Sequence, residues 1–150
     1  MFIPKGPDFI WPRAGVGVAL ETPFGYLLMR RAAGKTAAGD WGFPGGALEA
    51  GESLIDCAAR ETLEEAGVMI RDAVILPLVT EDIFVEAGEH WLTHYVHAYT
   101  DETPVNREPH KCDGLMTAWP DEMPHPLFAG IDQLFGKGLL RNYPSDQIRI

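Results

Sequence analysis

GALEAGESLIDCAARETLEEAGV, from Gly46 to Val68, is the stretch whose reading decides the fold, and it is entered through Trp41-Gly42-Phe43-Pro44-Gly45. Ser53 with Asp56 three residues on resembles a capping box, and Gly67 is placed to end a helix in the left-handed conformation. The spacing therefore predicts a helix over residues 53–66. Leu54, Ile55, Ala58, Ala59, Thr62 and Ala66 would form its buried stripe, the alanines permitting close packing on a sheet. Glu61, Glu64 and Glu65 fall at i, i+3 and i+4, which sets three carboxylates on roughly one helical face. Such neighbours repel by roughly a few tenths of a kcal/mol per pair, and Arg60 is the one base adjacent to them. A cation from outside the chain is expected to complete the arrangement, because hard oxygen ligands with a phosphate partner are what Mg²⁺ prefers.

On the N-terminal side, residues 14–20 alternate Val16, Val18 and Leu20 with Gly15, Gly17 and Ala19, a strand with one face kept small. Small residues there let another backbone or a flat ligand come close. Thr22-Pro23-Phe24-Gly25 reads as a turn and residues 26–31 as the returning strand of a hairpin. On the C-terminal side, strand-like runs are expected at residues 73–79, 81–85 and 91–100, with Glu86-Ala87-Gly88-Glu89 turning between the last two. A turn-rich segment at 101–110 precedes another strand at 114–119. Leu127, Phe128, Ile131, Leu134 and Phe135 are spaced for one face of a second helix, closed by Gly136 and Gly138. Strands grouped around one central helix, with another helix late, give an α/β domain with a mixed sheet between helices.

The chain has 150 residues, 46% hydrophobic and 23% charged, which fits one soluble globular domain with a full core. Residues 1–12 read as a Pro-rich arm lying over that domain, and residues 139–150 as a tail without a legible pattern. A net charge of −10 opposes nonspecific binding to nucleic acid or to an anionic membrane surface. Cys57 and Cys112 lack CxxC spacing and sit in apolar surroundings, as expected of buried thiols in a reducing compartment. The beginning of the chain has no apolar run of the signal-peptide kind, and no stretch approaches the roughly 18 apolar residues of a membrane span. The cytoplasm is the expected location, and exposed aromatics near Phe9 and Trp11 leave room for a homodimer contact.

With Gly46, Glu52, Arg60-Glu61, Glu64-Glu65 and Gly67 in this spacing, the stretch resembles the complete signature box of the Nudix hydrolases. Thr62 is its one soft departure, where the pattern usually has an aliphatic residue of similar size. The resemblance implies a Nudix fold, a three-layer α/β/α sandwich with a mixed β-sheet, and a box built as loop, helix and loop. It implies Mg²⁺ as cofactor, with Mn²⁺ able to substitute. Glu61 and Glu65 become the principal metal ligands, with Glu64 sharing a second ion or acting as base, and the Gly46 carbonyl is carried over as a backbone ligand. Glu52 would fix the box through hydrogen bonds, or reach a metal through water. Arg60 has the rigid fork to hold one of these glutamates in its working orientation.

Outside the box the resemblance narrows to nucleoside triphosphate diphosphatases of the MutT type. It is carried by Gly15-Val16-Gly17-Val18, Glu108-Pro109-His110-Lys111-Cys112 and Leu127-Phe128-Ala129-Gly130-Ile131. Glu108 is implied as a late metal ligand or base, and Thr93, Phe128, Gly130 and Ile131 as base-pocket residues. Arg31, ending its strand beside the loop at 32–40, and Lys35 within that loop are candidates to touch phosphate. Gly34-Lys35-Thr36 mimics the tail of a phosphate-binding loop, but Met29 stands where its first glycine should be. His90, His94 and His97 cluster without an HExxH pattern or a cysteine partner, and read as polar or pocket-lining residues rather than zinc ligands. The implied reaction converts a nucleoside or deoxynucleoside triphosphate to the monophosphate and pyrophosphate. Alternatives are another nucleoside diphosphate derivative (ADP-ribose, a nucleotide sugar, a capped RNA end) or a module that binds nucleotide without cleaving it.

Overall fold

In the computed structural model, which describes residues 11–143, the glutamate-bearing stretch forms helix α1, Leu54–Ala66. The Ser53 hydroxyl accepts the Asp56 amide at 3.0 Å, and Gly67 closes the helix at φ 68° with its N–H donating to the Leu63 carbonyl. Both ends are thus satisfied by the capping residues legible in the sequence. The buried face holds Cys57, Ala58, Thr62 and Ala66. Ala59, expected in that stripe, is exposed, because the buried arc is rotated towards Cys57. Thr62 tolerates complete burial because its hydroxyl donates to the Ala58 carbonyl at 2.8 Å.

The strands are β1 (Arg13–Thr22), β2 (Gly25–Arg31), β3 (Trp41–Gly42), β4 (Gly45–Ala47), β5 (Arg71–Phe84), β6 (Glu89–Tyr99) and β7 (Cys112–Ala118). They form one mixed sheet in the order β3-β2-β1-β6-β5, with β4 paired to β1 and β7 to β2. The parallel pair is β1 with β6, in register from Arg13↔Trp91 to Glu21↔Tyr99, and the other pairings are antiparallel. One face packs on α1 through Val16, Val18, Leu20, Val96 and Ala98. The other packs Ala19, Tyr26, Leu28 and Tyr95 against Ile131 and Leu134 of helix α2, Ile131–Gly136. Each of these fully buried aliphatic side chains contributes roughly 1.5–3 kcal/mol of apolar transfer. The result is the expected three-layer α/β/α sandwich with a mixed sheet.

Several expectations are corrected. The runs at 73–79 and 81–85 are one strand, β5, because Thr80 is buried within the ladder rather than ending it. The apparent interruption is an irregularity between Ile75 and Val79, centred on Pro77, which has no N–H to pair. Strand β5 lies at the outer edge of the sheet, with Val74, Ile75, Val79 and Ile83 all more than half exposed. Helix α2 begins only at Ile131, because Gly130 before it takes a left-handed φ of 93°. Leu127 and Phe128 precede it as extended chain beside Trp41, and Phe135 is 46% exposed rather than core. In the segment after α2, Leu140 is buried and the Arg141 amide donates to the Tyr26 hydroxyl at 2.9 Å. The expectations for residues 1–10, Phe9 among them, and for 144–150 lie outside the described residues, while Trp11 is exposed.

Candidate active site

Helix α1 carries one turn of glutamates towards the β4 end of the sheet, and Arg60 gathers them. Its Nε donates to Glu52 Oε2 at 2.7 Å and Nη2 to Glu52 Oε1 at 3.0 Å, a two-pronged pairing that holds the Glu52 carboxyl down at about 2. Nη1 donates to Glu61 Oε1 at 2.9 Å and, more loosely, to Glu64 Oε2 at 3.4 Å. Nη2 also reaches the Ala47 carbonyl at 3.1 Å, which ties the helix to β4. One guanidinium therefore orders three acids and a strand, more than the single glutamate expected of it.

Glu65 lies apart from this clasp. Its Oε1 accepts the Gly45 amide at 2.9 Å, and desolvation pushes its carboxyl up to about 8. Burial raises Glu61 as well, against the pull of Arg60, and the two side chains hydrogen-bond each other. Burial and the neighbouring carboxyl both disfavour the charged form of this pair, which a bound cation would offset.

The glycines before the helix fit the same cluster. A Cβ on Gly45 would lie 2.0 Å from the Val16 carbonyl oxygen, and one on Gly46 would lie 2.4 Å from Glu61 Oε1. Only bare backbone lets β4 run this close to β1 on one side and to a carboxylate on the other. Carboxylates and a backbone carbonyl are the oxygen donors a hard divalent cation takes. Among the described residues no three acidic, imidazole or thiol side chains form a ligand cage of their own. Mg²⁺ needs none, since it binds through one or two carboxylates completed by water and substrate phosphate. The residues present fit the ion.

From this cluster a cleft opens on the α2 face of the sheet. Gly45, Gly46 and Glu65 line one end. Gly15 and Gly17 form its floor, with Trp91, Thr93 and Tyr95 of β6 beside them, and Asp82 and Phe84 of β5 with Phe128 and Ile131 at the far end. The glycines of β1 are explained by their neighbours, since a Cβ on Gly15 would touch the Trp91 ring and one on Gly17 the Tyr95 ring, each at 3.1 Å. Phe84 and Phe128 stack at 6.0 Å between centroids. Arg31 lies over the Phe128 ring at 4.8 Å, and its Nε donates to the Thr36 carbonyl. The Thr36 hydroxyl bonds Glu89, which also accepts the Trp91 indole N–H at 2.9 Å, so the 32–40 loop is fastened across the cleft's rim.

Among the residues singled out by sequence, Glu65, Gly46, Arg31, Thr93, Phe128 and Ile131 line the cleft, and Glu61, Glu64, Glu52 and Arg60 stand behind Gly46. Glu108 pairs with Lys111 at 3.2 Å and lies near enough to Glu65 to raise it further. Lys35 is exposed on the loop and does not line the cleft. Gly130 does not line it either, because its missing side chain makes room for the Tyr95 hydroxyl, which would meet a Cβ at 1.8 Å. His90 pairs with Glu81 and His97 with Glu21. Asp82, Phe84, Glu89, Trp91 and Tyr95 escaped sequence reasoning, although the alternation through Thr93 pointed to Trp91 and Tyr95 on the same strand face.

A model of the NUDIX domain matches residues 11–134. The chain belongs to the Nudix hydrolases. A MutT NUDIX hydrolase of Burkholderia pseudomallei superposes on this Nudix hydrolase with a TM-score of 0.76 at 30% identity, covering 85% of this chain and 98% of the other. A Mycobacterium tuberculosis protein provisionally named 8-oxo-dGTP diphosphatase 3 is 33% identical over 130 residues, 79% of this chain and 60% of its own length. A nucleoside triphosphate pyrophosphatase/Nudix hydrolase fusion protein of Bifidobacterium longum is 41% identical over 56 residues, only 12% of its length. The chain thus spans about 60% or less of the curated relatives it matches, and with the B. pseudomallei structure they make it a Nudix hydrolase of MutT type. A RenU Nudix hydrolase of M. smegmatis, with a TM-score of 0.67 at 23% identity, shares the fold. No helix among the described residues is long and apolar enough to cross a membrane.

Proposed function

We propose that this Nudix hydrolase cleaves a nucleoside or deoxynucleoside triphosphate within its phosphate chain, giving the monophosphate and pyrophosphate. The observation that carries the reading is one cleft with two unlike parts, the carboxyls of Glu61 and Glu65 against the Gly45-Gly46 turn and the aromatic wall of Phe84 and Phe128. Glu61, Glu65 and the Gly46 carbonyl would hold Mg²⁺, for which Mn²⁺ can substitute. When bound, such an ion neutralises phosphate charge and lowers the pKa of a coordinated water.

The chain's own residues do the remaining work. Arg60 keeps Glu52, Glu61 and Glu64 in one orientation. Glu64, the most exposed of these three and the most loosely held, accepts the proton of the attacking water as its oxygen bonds to phosphorus and the bridging oxygen leaves. Lys111, paired with Glu108 and close enough to Glu61 and Glu65 to feel their charge, supplies positive charge for the departing phosphates, while Arg31 caps the Phe128 ring on the aromatic side. The aromatic wall holds the base. Buried thiols at Cys57 and Cys112 support a reducing, cytoplasmic setting, and exposed Trp11 supports a contact between two copies.

Purified protein with Mg²⁺ and a panel of nucleotides, read by product identification, tests the reading. Pyrophosphate and monophosphate from triphosphates are expected. Turnover of ADP-ribose or a nucleotide sugar without triphosphate turnover would move the substrate to that class. Binding without product would make the protein a sensing module.

A further inference from the structure

Asp82 is an acid with no assigned work. It stands on β5 directly across from Trp91 of β6 and lines the cleft with Phe84, Trp91, Tyr95 and Phe128. The Thr80 side chain hydrogen-bonds its carboxyl, no base among the described residues offsets its charge, and desolvation lifts it above the ordinary aspartate range. A carboxylate kept half-buried among aromatic rings, without a cation, is an acceptor waiting for donors.

Its placement suits the base rather than the phosphates. From β4, which carries Gly46, the sheet runs through β1 and β6 to β5. Three strand spacings of about 4.8 Å, with an offset of three residues of about 3.3 Å along the strands, put Asp82 about 17 Å from Gly46. That is the reach of an extended nucleoside triphosphate from its terminal phosphate to the outer edge of its base. Phe84, on the same strand face two residues on, supplies an apolar surface for the ring.

We infer that Asp82 selects the base of the substrate by accepting the two adjacent N–H donors of a guanine-type ring edge. The inference rests on the triphosphate reading given above. A carboxylate presents two parallel acceptor oxygens, which match an imino N–H beside an amino group. Adenine and cytosine place a ring-nitrogen lone pair beside their amino group. Uracil places a carbonyl beside its N–H. Adenine, cytosine and uracil each set an acceptor against the carboxylate, whereas hypoxanthine in the guanine pose has only a C–H where the amino group was, so Asp82 repels the first three and makes one hydrogen bond fewer to the last.

The test compares wild type with Asp82→Asn and Asp82→Ala, measuring kcat/KM for GTP, for ITP (which lacks the amino group) and for UTP. Binding of GMP and IMP is followed in parallel by calorimetry without metal. Wild type is expected to favour GTP over ITP by roughly 10- to 100-fold, the scale of one charge-assisted hydrogen bond. In Asp82→Asn the ratio should collapse to within about threefold, because the amide can accept the N–H and donate to the carbonyl of hypoxanthine. Retained UTP turnover in either variant reports an intact fold. Equal use of GTP and ITP by wild type, or an equal loss on all three substrates in the variants, overturns the inference. Should no triphosphate be cleaved, the proposed function fails on its own, and the binding arm still decides Asp82. GMP preferred over IMP by wild type but not by Asp82→Asn supports the assignment, and indifference to the base refutes it.

Discussion

Gly45 and Gly46 are adjacent, both are crowded, and the structure predicts opposite consequences for the same added methyl. At Gly45 a Cβ would stand 2.0 Å from the Val16 carbonyl oxygen and 3.1 Å from the Gly17 Cα, both backbone atoms that cannot step aside. Relief requires β4 to separate from β1, which sacrifices the pairing of Gly17 with Gly45 and the Val18 amide bond to the Pro44 carbonyl. At about 1 kcal/mol per backbone hydrogen bond, plus the apolar packing given up as the strands part, Gly45→Ala should cost about 2–4 kcal/mol. That lowers Tm by roughly 5–15 °C in a domain of this size. At Gly46 the obstacle is the tip of the Glu61 side chain, at 2.4 Å from Oε1 and 2.8 Å from Oε2, against an ordinary contact of 3.4 Å or more. The carboxylate must retreat by about 1 Å, at about 0.5–1.5 kcal/mol of rotamer strain, so Tm should fall by about 5 °C at most. A misplacement of that size at a reacting centre costs about 100-fold in turnover. Thermal melts and pyrophosphate release on both variants decide the matter. A Gly46→Ala protein with wild-type turnover, or one as destabilised as Gly45→Ala, would refute the placement of Glu61 against the turn.

Glu65→Gln keeps the acceptor for the Gly45 amide and is neutral where burial disfavours a carboxylate, but it removes the anionic oxygen a cation would need, so turnover should fall by roughly two orders of magnitude or more while Tm holds or rises. Steady-state rates and a melt check both halves. Arg60→Lys cannot reproduce the two-pronged contact to Glu52 together with the bonds to Glu61 and the Ala47 carbonyl. It should lower kcat more than it raises KM, and an unchanged kcat would count against the clasp. Burial raises the Tyr26 hydroxyl from near 10 to about 12. Its contribution to stability is full below pH 10 and is lost as pH rises through 12, amounting to roughly 2–3 kcal/mol. Denaturant titrations between pH 8 and 11.5 should show a steeper decline for wild type than for Tyr26→Phe, and parallel curves would contradict the assignment.

Helix α1 and the crowding of its acids were legible because local rules agree there: a serine cap, a glycine stop, an apolar stripe and acids crowded on one turn. Strands β3 and β4 were not, since Trp41-Gly42 and Gly45–Ala47 are too short for alternation and owe their pairing to neighbours distant in sequence. Helix α2 read longer than it is, because Leu127 and Phe128 share the periodicity of Ile131 yet are held as extended chain by β3. Asp82 and Phe84 of β5, with Trp91 and Tyr95 of β6, stayed hidden for a related reason. Period-two alternation on β5 and β6 separates two strand faces but does not say which one an open cleft will use. Only the folded pairing of Gly15 with Thr93, and of Asp82 with Trp91, brings those faces to a common floor.

The outer margin of the sheet bears on how this protein behaves when crowded. A fourteen-residue ribbon with greasy side chains, and no strand beyond it among the described residues, is an invitation to strand-by-strand aggregation. Pro77 interrupts that invitation midway, because an incoming chain finds no donor there and a buckled backbone to either side. One imino acid far from the glutamates thereby makes this margin a poorer template for a second chain.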